Sequence, residues 1–244
     1  MNKTKVIYGI RPVLEALKSK VNIDKILLQD SLQGVLIQEL KQELKRANIR
    51  PQYVPVNRLN AIIKGNHQGV VAYISEIVYA DLDDILLDLK QKNSPAFFLL
   101  LDKITDVRNF GAIARTAAAA NVDAIIIPSW GAARINEDAI KTSAGGLLKV
   151  PVVKTDNLKT TIHTLHQEGI TTICATEKAK DNYTSLNGNE PLAVILGSED
   201  KGIDPDILKL ARKQVSIPVN DAISSLNVSV AAGIIIYEVL RQRN

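Results

Sequence analysis

Cysteine, histidine and aromatic residues are scarce in this chain of 244 residues. It holds one cysteine and three histidines, and aromatic side chains make up 4% of it. A single thiol excludes a disulfide within the chain, and the apolar run around Cys174 predicts a buried structural thiol rather than a nucleophile. His163 and His166 lie three residues apart without supporting cysteines, so we expect no metal site.

Long apolar runs and targeting segments are also missing. No stretch of roughly 18 apolar residues occurs, and the chain does not start with the charged and then apolar pattern of a signal peptide. We therefore expect a cytoplasmic protein that does not enter a membrane. The G-x-G-x-x-G turn and the P-loop are absent as well, which argues against an ordinary Rossmann domain and against nucleotide triphosphate hydrolysis.

The charge of the chain is unevenly distributed. Residues 1–80 carry 12 lysines and arginines against 6 acidic residues, whereas residues 81–244 carry 18 against 20. The basic first part predicts contact with a polyanion, although a merely solvated basic face would give the same count. Because aromatic residues are few, extensive base stacking is not expected.

Hydrophobic patterns divide the chain into two α/β domains and a connection between them. In residues 1–80, four short β-rich runs alternate with three helical patterns, which predicts a small α/β sandwich. An acidic stretch with helical periodicity predicts a linker helix over residues 81–95. In residues 96–244, near-continuous apolar runs predict strands that are covered on both faces, and hence a parallel sheet flanked by helices.

The final helix, predicted from about Asn227 to Arg241, is apolar nearly all round. The small residues Ala231–Gly233 within it would allow another backbone to approach closely. This helix is therefore expected either in the core or at a subunit interface.

Three polar clusters carry the candidate chemistry. Asn109–Thr116 opens an alanine-rich helix, Leu196–Gly202 follows an apolar strand, and Ser224–Ala231 opens the final helix. Helix starts of this kind hold anions or reacting oxygens. Taken singly each signal is weak, because Arg115 could be an ordinary solvated side chain and Asn227 could simply cap a helix. Three such clusters in one domain predict an assembled active site.

In type and order, these clusters resemble the three motifs of SpoU-type (TrmH-type) RNA ribose methyltransferases of the SPOUT superfamily. The matching runs are Asn109-Phe-Gly-Ala-Ile-Ala-Arg115, Leu196-Gly-Ser-Glu199 with Lys201-Gly202, and Ser225-Leu-Asn227-Val-Ser229. At the front, Tyr8–Leu17 and His67–Ala72 are similar to the L30e-like substrate-binding domain of that family.

The chain departs from the usual pattern of the family at two places. Val107-Arg108 stands where Pro-His or Pro-Gly is common, and Asp200 stands where glycine is usual. We therefore expect a different loop shape and a different RNA contact near Arg108.

The resemblance implies a particular fold and assembly. Residues 1–80 would form an L30e-like RNA-binding domain, residues 81–95 a linker, and residues 96–244 an α/β SPOUT methyltransferase domain with a C-terminal trefoil knot. In such a knot the C-terminal segment threads a loop and forms the S-adenosylmethionine site, an arrangement that is otherwise nearly absent from proteins. Because the family is characteristically dimeric through the knotted domain, we expect a homodimer.

The resemblance also implies which residues form the site. The catalytic set is Asn109, Arg115, Glu199, Ser225 and Asn227. The cofactor-binding set is Thr176, Leu196, Gly197, Ser198, Gly202, Ile217, Pro218 and Leu226. The basic charges that we expect to contact RNA are Lys3, Lys5, Arg11, Arg46, Arg50, Arg58 and Arg108.

Within the catalytic set, Arg115 is expected to clamp a phosphate and the developing alkoxide, because a guanidinium stays protonated and is a poor base. Glu199 would orient Arg115 or Asn109 through charge-assisted hydrogen bonds and is the second choice as proton acceptor. Ser225 and Asn227 would position the ribose or the cofactor.

The implied function is S-adenosylmethionine-dependent 2′-O-methylation of RNA, most similar to that of the enzymes that modify a guanosine of large-subunit (23S) ribosomal RNA. A transfer RNA or another ribosomal RNA site is the first alternative, and an RNA-binding protein without activity is the second. The additional N-terminal domain favours ribosomal RNA, and the intact Asn109, Arg115, Glu199 and Asn227 argue against an inactive protein.

Overall fold

The computed structural model describes residues 6–19, 21–47, 49–220 and 225–244. The chain forms two compact units, Met1–Val78 and Tyr79–Asn244.

The first unit is a four-stranded mixed sheet with helices on both faces. Its elements are β1 (Val6–Tyr8), α1 (Ile10–Lys18), β2 (Ile23–Gln29), α2 (Val35–Arg46), β3 (Gln52–Val54), α3 (Val56–Ile62) and β4 (Val70–Ile74). The strand order is β1-β4-β2-β3, with β4 antiparallel to both of its neighbours and β2 parallel to β3.

Alternation along β2 explains why this sheet is covered on both faces. Successive side chains of a strand point to opposite faces. Ile26 and Leu28 pack with Leu40 of α2, whereas Leu27, between them, packs with Leu59 of α3. The small α/β domain predicted from the sequence is therefore present.

The second unit is built on a seven-stranded sheet. Its elements are α4 (Leu82–Lys92), β5 (Phe97–Asp102), α5 (Val107–Ala119), β6 (Ala124–Pro128), α6 (Glu137–Thr142), β7 (Val152–Thr155), α7 (Leu158–Gln167), β8 (Thr171–Ala175), β9 (Asp181–Asn182), β10 (Leu192–Gly197), α8 (Pro205–Leu210), β11 (Lys213–Ser216) and α9 (Val228–Arg243).

All neighbouring strands of this sheet are parallel, in the order β7-β6-β5-β10-β8-β11-β9. The two central strands, β5 and β10, are buried along nearly their whole length, as strands covered on both faces must be. The predicted α/β fold with a parallel sheet is confirmed. Two short strands, β7 and β9, have too few apolar residues to be recognised from the sequence.

The segment that was expected to be a linker belongs to the second unit. Residues 82–92 form α4, and its Leu86 and Leu89 are buried in one core with Phe98 of β5. The boundary between the units lies before Tyr79. The acidic residues of this segment lie on the exposed face of an amphipathic helix, and its apolar face requires cover.

The final helix, α9, contributes to the core and also leaves apolar surface exposed. Ala232, Ile235 and Val239 are buried, whereas Val230 and Tyr237 are 51% and 52% exposed. Among the described residues, nothing would come within 4 Å of a Cβ placed on Gly233, so its small size is not used for packing against them.

The structure shows the surroundings of the single cysteine and of one of the three histidines. Cys174 is buried in β8, and burial raises its pKa to about 12. The ring Nε2 of His166 lies 2.7 Å from Thr172 Oγ1. Across the described ranges, no group of three or more histidine, cysteine or acidic residues is placed to hold a metal ion, and no helix is long and apolar enough to cross a membrane.

Candidate active site

Two helix caps position the first and third polar clusters. Asp106 caps α5 by accepting a hydrogen bond from the backbone N–H of Asn109 at 2.7 Å, which places Asn109 in the first turn of that helix. Asn227 caps α9 by accepting from the N–H of Ser229 at 2.9 Å. The capping role considered for Asn227 is thus real, and it leaves the side-chain NH₂ group free to bond elsewhere.

Asn109, Glu199 and Asn227 form a closed hydrogen-bond network. Glu199 Oε1 accepts from Asn109 Nδ2 at 3.0 Å and from Asn227 Nδ2 at 2.5 Å, and Asn227 Nδ2 also donates to Asn109 Oδ1 at 3.0 Å. The N–H of Val228 adds a fourth bond, to the same Glu199 oxygen, at 3.3 Å. Within the described part of the chain, Glu199 Oε2 accepts no hydrogen bond. The network therefore fixes one carboxylate oxygen and leaves the other available.

The loop that carries Glu199 closes tightly on itself after β10. Gly202 N–H donates to Ser198 O at 2.8 Å, and Lys201 N–H donates to Ser198 Oγ at 3.3 Å. A Cβ on Gly197 would lie 2.2 Å from the carbonyl carbon of Gly202, so no other residue fits there. The absence of this Cβ lets the backbone of the loop pack against itself.

A buried carboxylate supports the far side of this loop. Asp102, at the end of β5, is 2% exposed and accepts from the N–H of Asp204 at 2.8 Å. Burial raises the pKa of Asp102, and the neighbouring charge of Lys103 opposes that shift. Lys103 also pairs with Asp204 at 2.9 Å, so the end of the loop is joined to β5 by two bonds.

A cavity of about 340 Å³ lies beside the network, within the range of small-molecule sites. Seven of the eight expected cofactor-binding residues line it. They are Thr176, Leu196, Gly197, Ser198, Gly202, Ile217 and Leu226. Glu199 and Ser225, which were expected to be catalytic, line it as well. The segment after β11 therefore returns to the loop after β10, which is the contact that the expected knot requires.

One residue that was expected to bind the cofactor does not line the cavity, and several residues that line it were not expected. Pro218 is exposed and does not line the cavity, whereas its neighbours Ile217 and Val219 do. The walls also include Glu177 and Lys178, which follow β8. Their position directly after Thr176 is the only feature of the sequence that could have indicated them.

Arg115 does not join the network. It lies on the exposed face of α5, and among the residues that the structure describes it makes no hydrogen bond or ion pair. Of the two partners expected for Glu199, Arg115 or Asn109, the structure shows Asn109, and Glu199 also binds Asn227. Arg108, seven residues earlier, is exposed on the same helix face.

Four of the basic residues expected to contact RNA lie in the described part of the first unit. Arg11, Arg46, Arg50 and Arg58 are all exposed. Arg46 pairs with Glu43 at 2.5 Å, which offsets its charge. Lys3 and Lys5 lie outside the described residues.

Comparison with known proteins follows the division into two units. A model of the SpoU rRNA methylase family matches residues 96–237, and a model of the substrate-binding region of RNA 2′-O ribose methyltransferases matches residues 6–80. The fold and the site thus define an RNA methyltransferase. The chain belongs to the SpoU rRNA methylase family. It is 34% identical over 238 residues to YacO of Bacillus subtilis (strain 168), a TrmH family tRNA/rRNA methyltransferase, covering 98% of this chain and 96% of YacO.

Solved structures show the same fold. An AdoMet-bound rRNA methyltransferase from Sinorhizobium meliloti superimposes with a TM-score of 0.61 at 21% identity, over 97% of this chain and 86% of that one. The TrmH/SpoU tRNA modifying enzyme of A. aeolicus superimposes with a TM-score of 0.56 at 28% identity, over 66% of this chain and 84% of that one.

Proposed function

We propose that this protein transfers a methyl group from S-adenosylmethionine to the 2′-oxygen of a ribose in RNA. The observation that carries the proposal is the network of Asn109, Glu199 and Asn227 beside a cavity of small-molecule size. The substrate-binding match in the first unit is to proteins that methylate this oxygen, which supports the 2′-O position.

The residues around the cavity fit the proposed cofactor. Leu196, Ile217 and Leu226 offer apolar surface for an adenine ring, and the loop after β10 offers backbone N–H and C=O groups for its polar edge. Thr176 and Ser225 offer hydroxyl groups for a ribose or an amino acid moiety. When bound, S-adenosylmethionine supplies an electrophilic methyl carbon, which bonds to the 2′-oxygen while its bond to sulfur breaks and the electron pair goes to sulfur.

The attacking hydroxyl must lose its proton during this displacement. Glu199 Oε2 is the acceptor that the network leaves available, while Oε1 is held by the two asparagines. Asn109 and Asn227 thereby fix the orientation of the carboxylate relative to the cavity, so that positioning supplies much of the catalysis.

Arg115 acts as a clamp for a phosphate and for the developing alkoxide. Arg115 has no internal partner to offset its positive charge among the residues described. A positive charge held near the oxygen stabilises the alkoxide as it forms. Ser225 and Asn227 position the ribose.

The preferred substrate is a guanosine of large-subunit ribosomal RNA. The matched rRNA methyltransferase superimposes on 97% of this chain, whereas the tRNA modifying enzyme superimposes on 66%, about the share that the second unit makes up. A first unit of this kind suits a larger RNA. Transfer RNA is the second candidate, favoured by the tRNA/rRNA description of YacO.

A homodimer formed through the second unit completes the proposal. Val230 and Tyr237 lie seven residues apart on one face of α9, and both are about half exposed. Gly233, between them, leaves room for another helix to approach. The cytoplasm is the compartment that we propose.

Transfer of labelled methyl groups to separated ribosomal and transfer RNAs that lack the modification tests this function. Label in large-subunit RNA, mapped to a guanosine 2′-oxygen, is expected, and label in transfer RNA would move the assignment to the second candidate. Arg115→Ala should lose transfer while keeping cofactor binding, with Arg212→Ala, another exposed arginine of the second unit, as the control. Cofactor binding without transfer to any RNA, including assembling ribosomal particles, would contradict the proposal.

A further inference from the structure

The wall of the proposed cofactor cavity carries five charged side chains. They come from two loops, with Glu177 and Lys178 after β8, and Glu199, Asp200 and Lys201 after β10. All five are exposed, so they lie where the cavity opens to solvent. In the part of the chain that the structure describes, every other lining residue is uncharged. The charge of this cavity is therefore set by two short segments.

The two loops leave the sheet side by side. Strands β8 and β10 are parallel neighbours, and the last pair of their register joins Cys174 to Ile195. The loop after β10 is a tight turn, closed by the hydrogen bond from Gly202 N–H to Ser198 O at 2.8 Å. Its tip therefore consists of residues 199–201, and Asp200 directly follows the carboxylate that we propose accepts the proton.

Three of these charges have no partner within the described ranges. The side chains of Lys178, Asp200 and Lys201 make no hydrogen bond or ion pair there. Two charged pairs behind the loop offset each other, since Lys103 binds Asp204 and the next pair along is Lys159 with Asp206. The charges at the cavity are thus available to a ligand.

The sum of the charges in the wall is negative. With ionised carboxylates and protonated lysines, three negative charges face two positive ones. S-adenosylmethionine has the opposite imbalance, because its amino acid end carries one charge of each sign and its sulfonium adds a positive charge. Once the methyl group has left, the sulfur is an uncharged thioether, and the product S-adenosylhomocysteine has no net charge. The sulfonium is therefore the group that the excess negative charge of the wall complements.

We propose that these five side chains select the cationic cofactor over its uncharged product, with Asp200 as a specificity-determining residue. This inference rests on the proposed function. Asp200 stands where the chain departs from the family pattern, so its carboxylate is a feature of this chain. It acts on the sulfonium through the field of its charge and takes no part in the chemistry.

The charges stay balanced through the proposed reaction. Before transfer, the excess negative charge of the wall and the sulfonium cancel. Transfer moves the methyl group to the 2′-oxygen, leaves the electron pair of the broken bond on sulfur, and passes the hydroxyl proton to Glu199. The cofactor and the wall are then both neutral. When Glu199 returns this proton to water, the negative wall faces an uncharged product, which charge no longer holds.

Calorimetry on the full-length protein without RNA tests the proposal. S-adenosylmethionine and S-adenosylhomocysteine are titrated separately, at neutral pH in 0.1 M salt. Asp200→Asn should raise the Kd of S-adenosylmethionine about two- to fivefold, the effect of one solvent-exposed charge at close range, and leave that of S-adenosylhomocysteine unchanged. Lys178→Gln, which removes a positive charge from the same wall, should lower the Kd of S-adenosylmethionine by a similar factor.

Two controls separate charge from structure. Glu190→Gln removes an exposed carboxylate at the amino end of β10, and the six residues of that strand span about 20 Å. This exceeds the screening length of about 10 Å in 0.1 M salt, so neither Kd should change. In 1 M salt, where the screening length is about 3 Å, the effects of Asp200→Asn and Lys178→Gln should largely disappear.

The outcomes are distinguishable. Equal changes for both cofactors would show that Asp200 binds the amino acid end that they share, and would overturn selection by charge. Shifts of the same sign in Asp200→Asn and Lys178→Gln would overturn it as well, since the two variants change the charge in opposite directions. The titrations need no turnover, so a protein that shows this charge dependence but methylates no RNA would reject the proposed function alone.

Discussion

Asn109 and Asn227 lie 118 positions apart in the sequence and donate hydrogen bonds to the same oxygen of Glu199. Asn109 comes from the first turn of α5, and Asn227 caps α9. The carboxylate thereby joins α5, the helix that follows β5, to α9, the last helix of the chain. Loss of either amide removes one of the three donors that hold this oxygen, the third being the N–H of Val228.

This shared acceptor predicts non-additive effects. Asn109→Ala and Asn227→Ala should each lower kcat by about 10- to 100-fold, the range expected for a hydrogen bond to a charged group. The double variant should be little worse than the more severe single variant, because both remove orientation of one carboxylate. Methyl transfer under saturating RNA measures this, and two fully multiplicative losses would contradict the shared role.

Asn227 also caps a helix, so the experiment needs a matched control. Asn157 caps α7 with the same kind of bond, from Lys159 N–H at 2.9 Å. Asn157→Ala should cost about 1 kcal/mol of unfolding free energy, as Asn227→Ala should through its cap. Only the Asn227 variant should also lose methyl transfer.

Gly197 should not tolerate even alanine. A Cβ there would lie 2.2 Å from the backbone of Gly202, so Gly197→Ala must open the loop that carries Glu199. Cofactor binding measured by calorimetry should fall below detection, with a lowered melting temperature. Gly233→Ala is the control, because no residue in the described ranges would lie within 4 Å of the added Cβ, and it should keep cofactor binding. Unchanged cofactor affinity in Gly197→Ala would show that the loop is not part of the site.

The exposed face of α9 predicts a specific effect on assembly. Tyr237→Lys and Val230→Asp place charges on the apolar face that we propose joins two copies. Sedimentation velocity should show a dimer for the unaltered protein and a monomer for either variant, with circular dichroism unchanged. Leu87→Ala, on α4, should remain dimeric. Dimers that survive both substitutions would place the interface elsewhere.

Low pH should lower the free energy of unfolding, because protonation of Glu238 weakens its hydrogen bonds at the end of α9. Hydrogen bonds from Arg241 and then Gln242 lower the pKa of Glu238 from 4.5 to about 2. Because this pKa is lower in the folded state, the ionised side chain stabilises the fold above about pH 4.5, and that contribution is lost as the pH falls from 4.5 to about 2. Urea unfolding at several pH values measures the slope. Glu238→Gln should flatten it, and an identical slope in the variant would exclude Glu238 as its source.

Much of the fold follows from local patterns in the sequence. Continuous apolar runs such as those of β5 and β10 are typical of strands that are covered on both faces, and they predicted the parallel sheet. The helical periodicity of residues 81–95 predicted the helix α4, but the periodicity does not state that Leu86 and Leu89 pack into the core of the second unit. Short edge strands such as β9 depend on their neighbours, which a local pattern does not contain.

The site was predicted from order and residue type rather than from geometry. Similarity of motifs identified Asn109, Glu199 and Asn227, but no pattern in the sequence states that two amides share one carboxylate oxygen. The sequence also does not show that Arg115 lies outside this network. The position of a residue on a helix predicts which way its side chain points, but not which group it binds. Pro218 does not line the cavity, whereas Ile217 and Val219 do, as is expected where neighbouring side chains of an extended segment point to opposite sides.

The cavity takes its walls from segments around residues 175–178, 196–203, 217–219 and 225–231. A folding intermediate in which β5, β6, β8 and β10 are paired, but residues 217–219 and 225–231 have not yet docked, would have most of the sheet and no binding site. Such a species would give a nearly native circular dichroism spectrum but would not bind the cofactor. A cofactor that recognises only the finished molecule would slow unfolding and leave the early steps of folding unchanged.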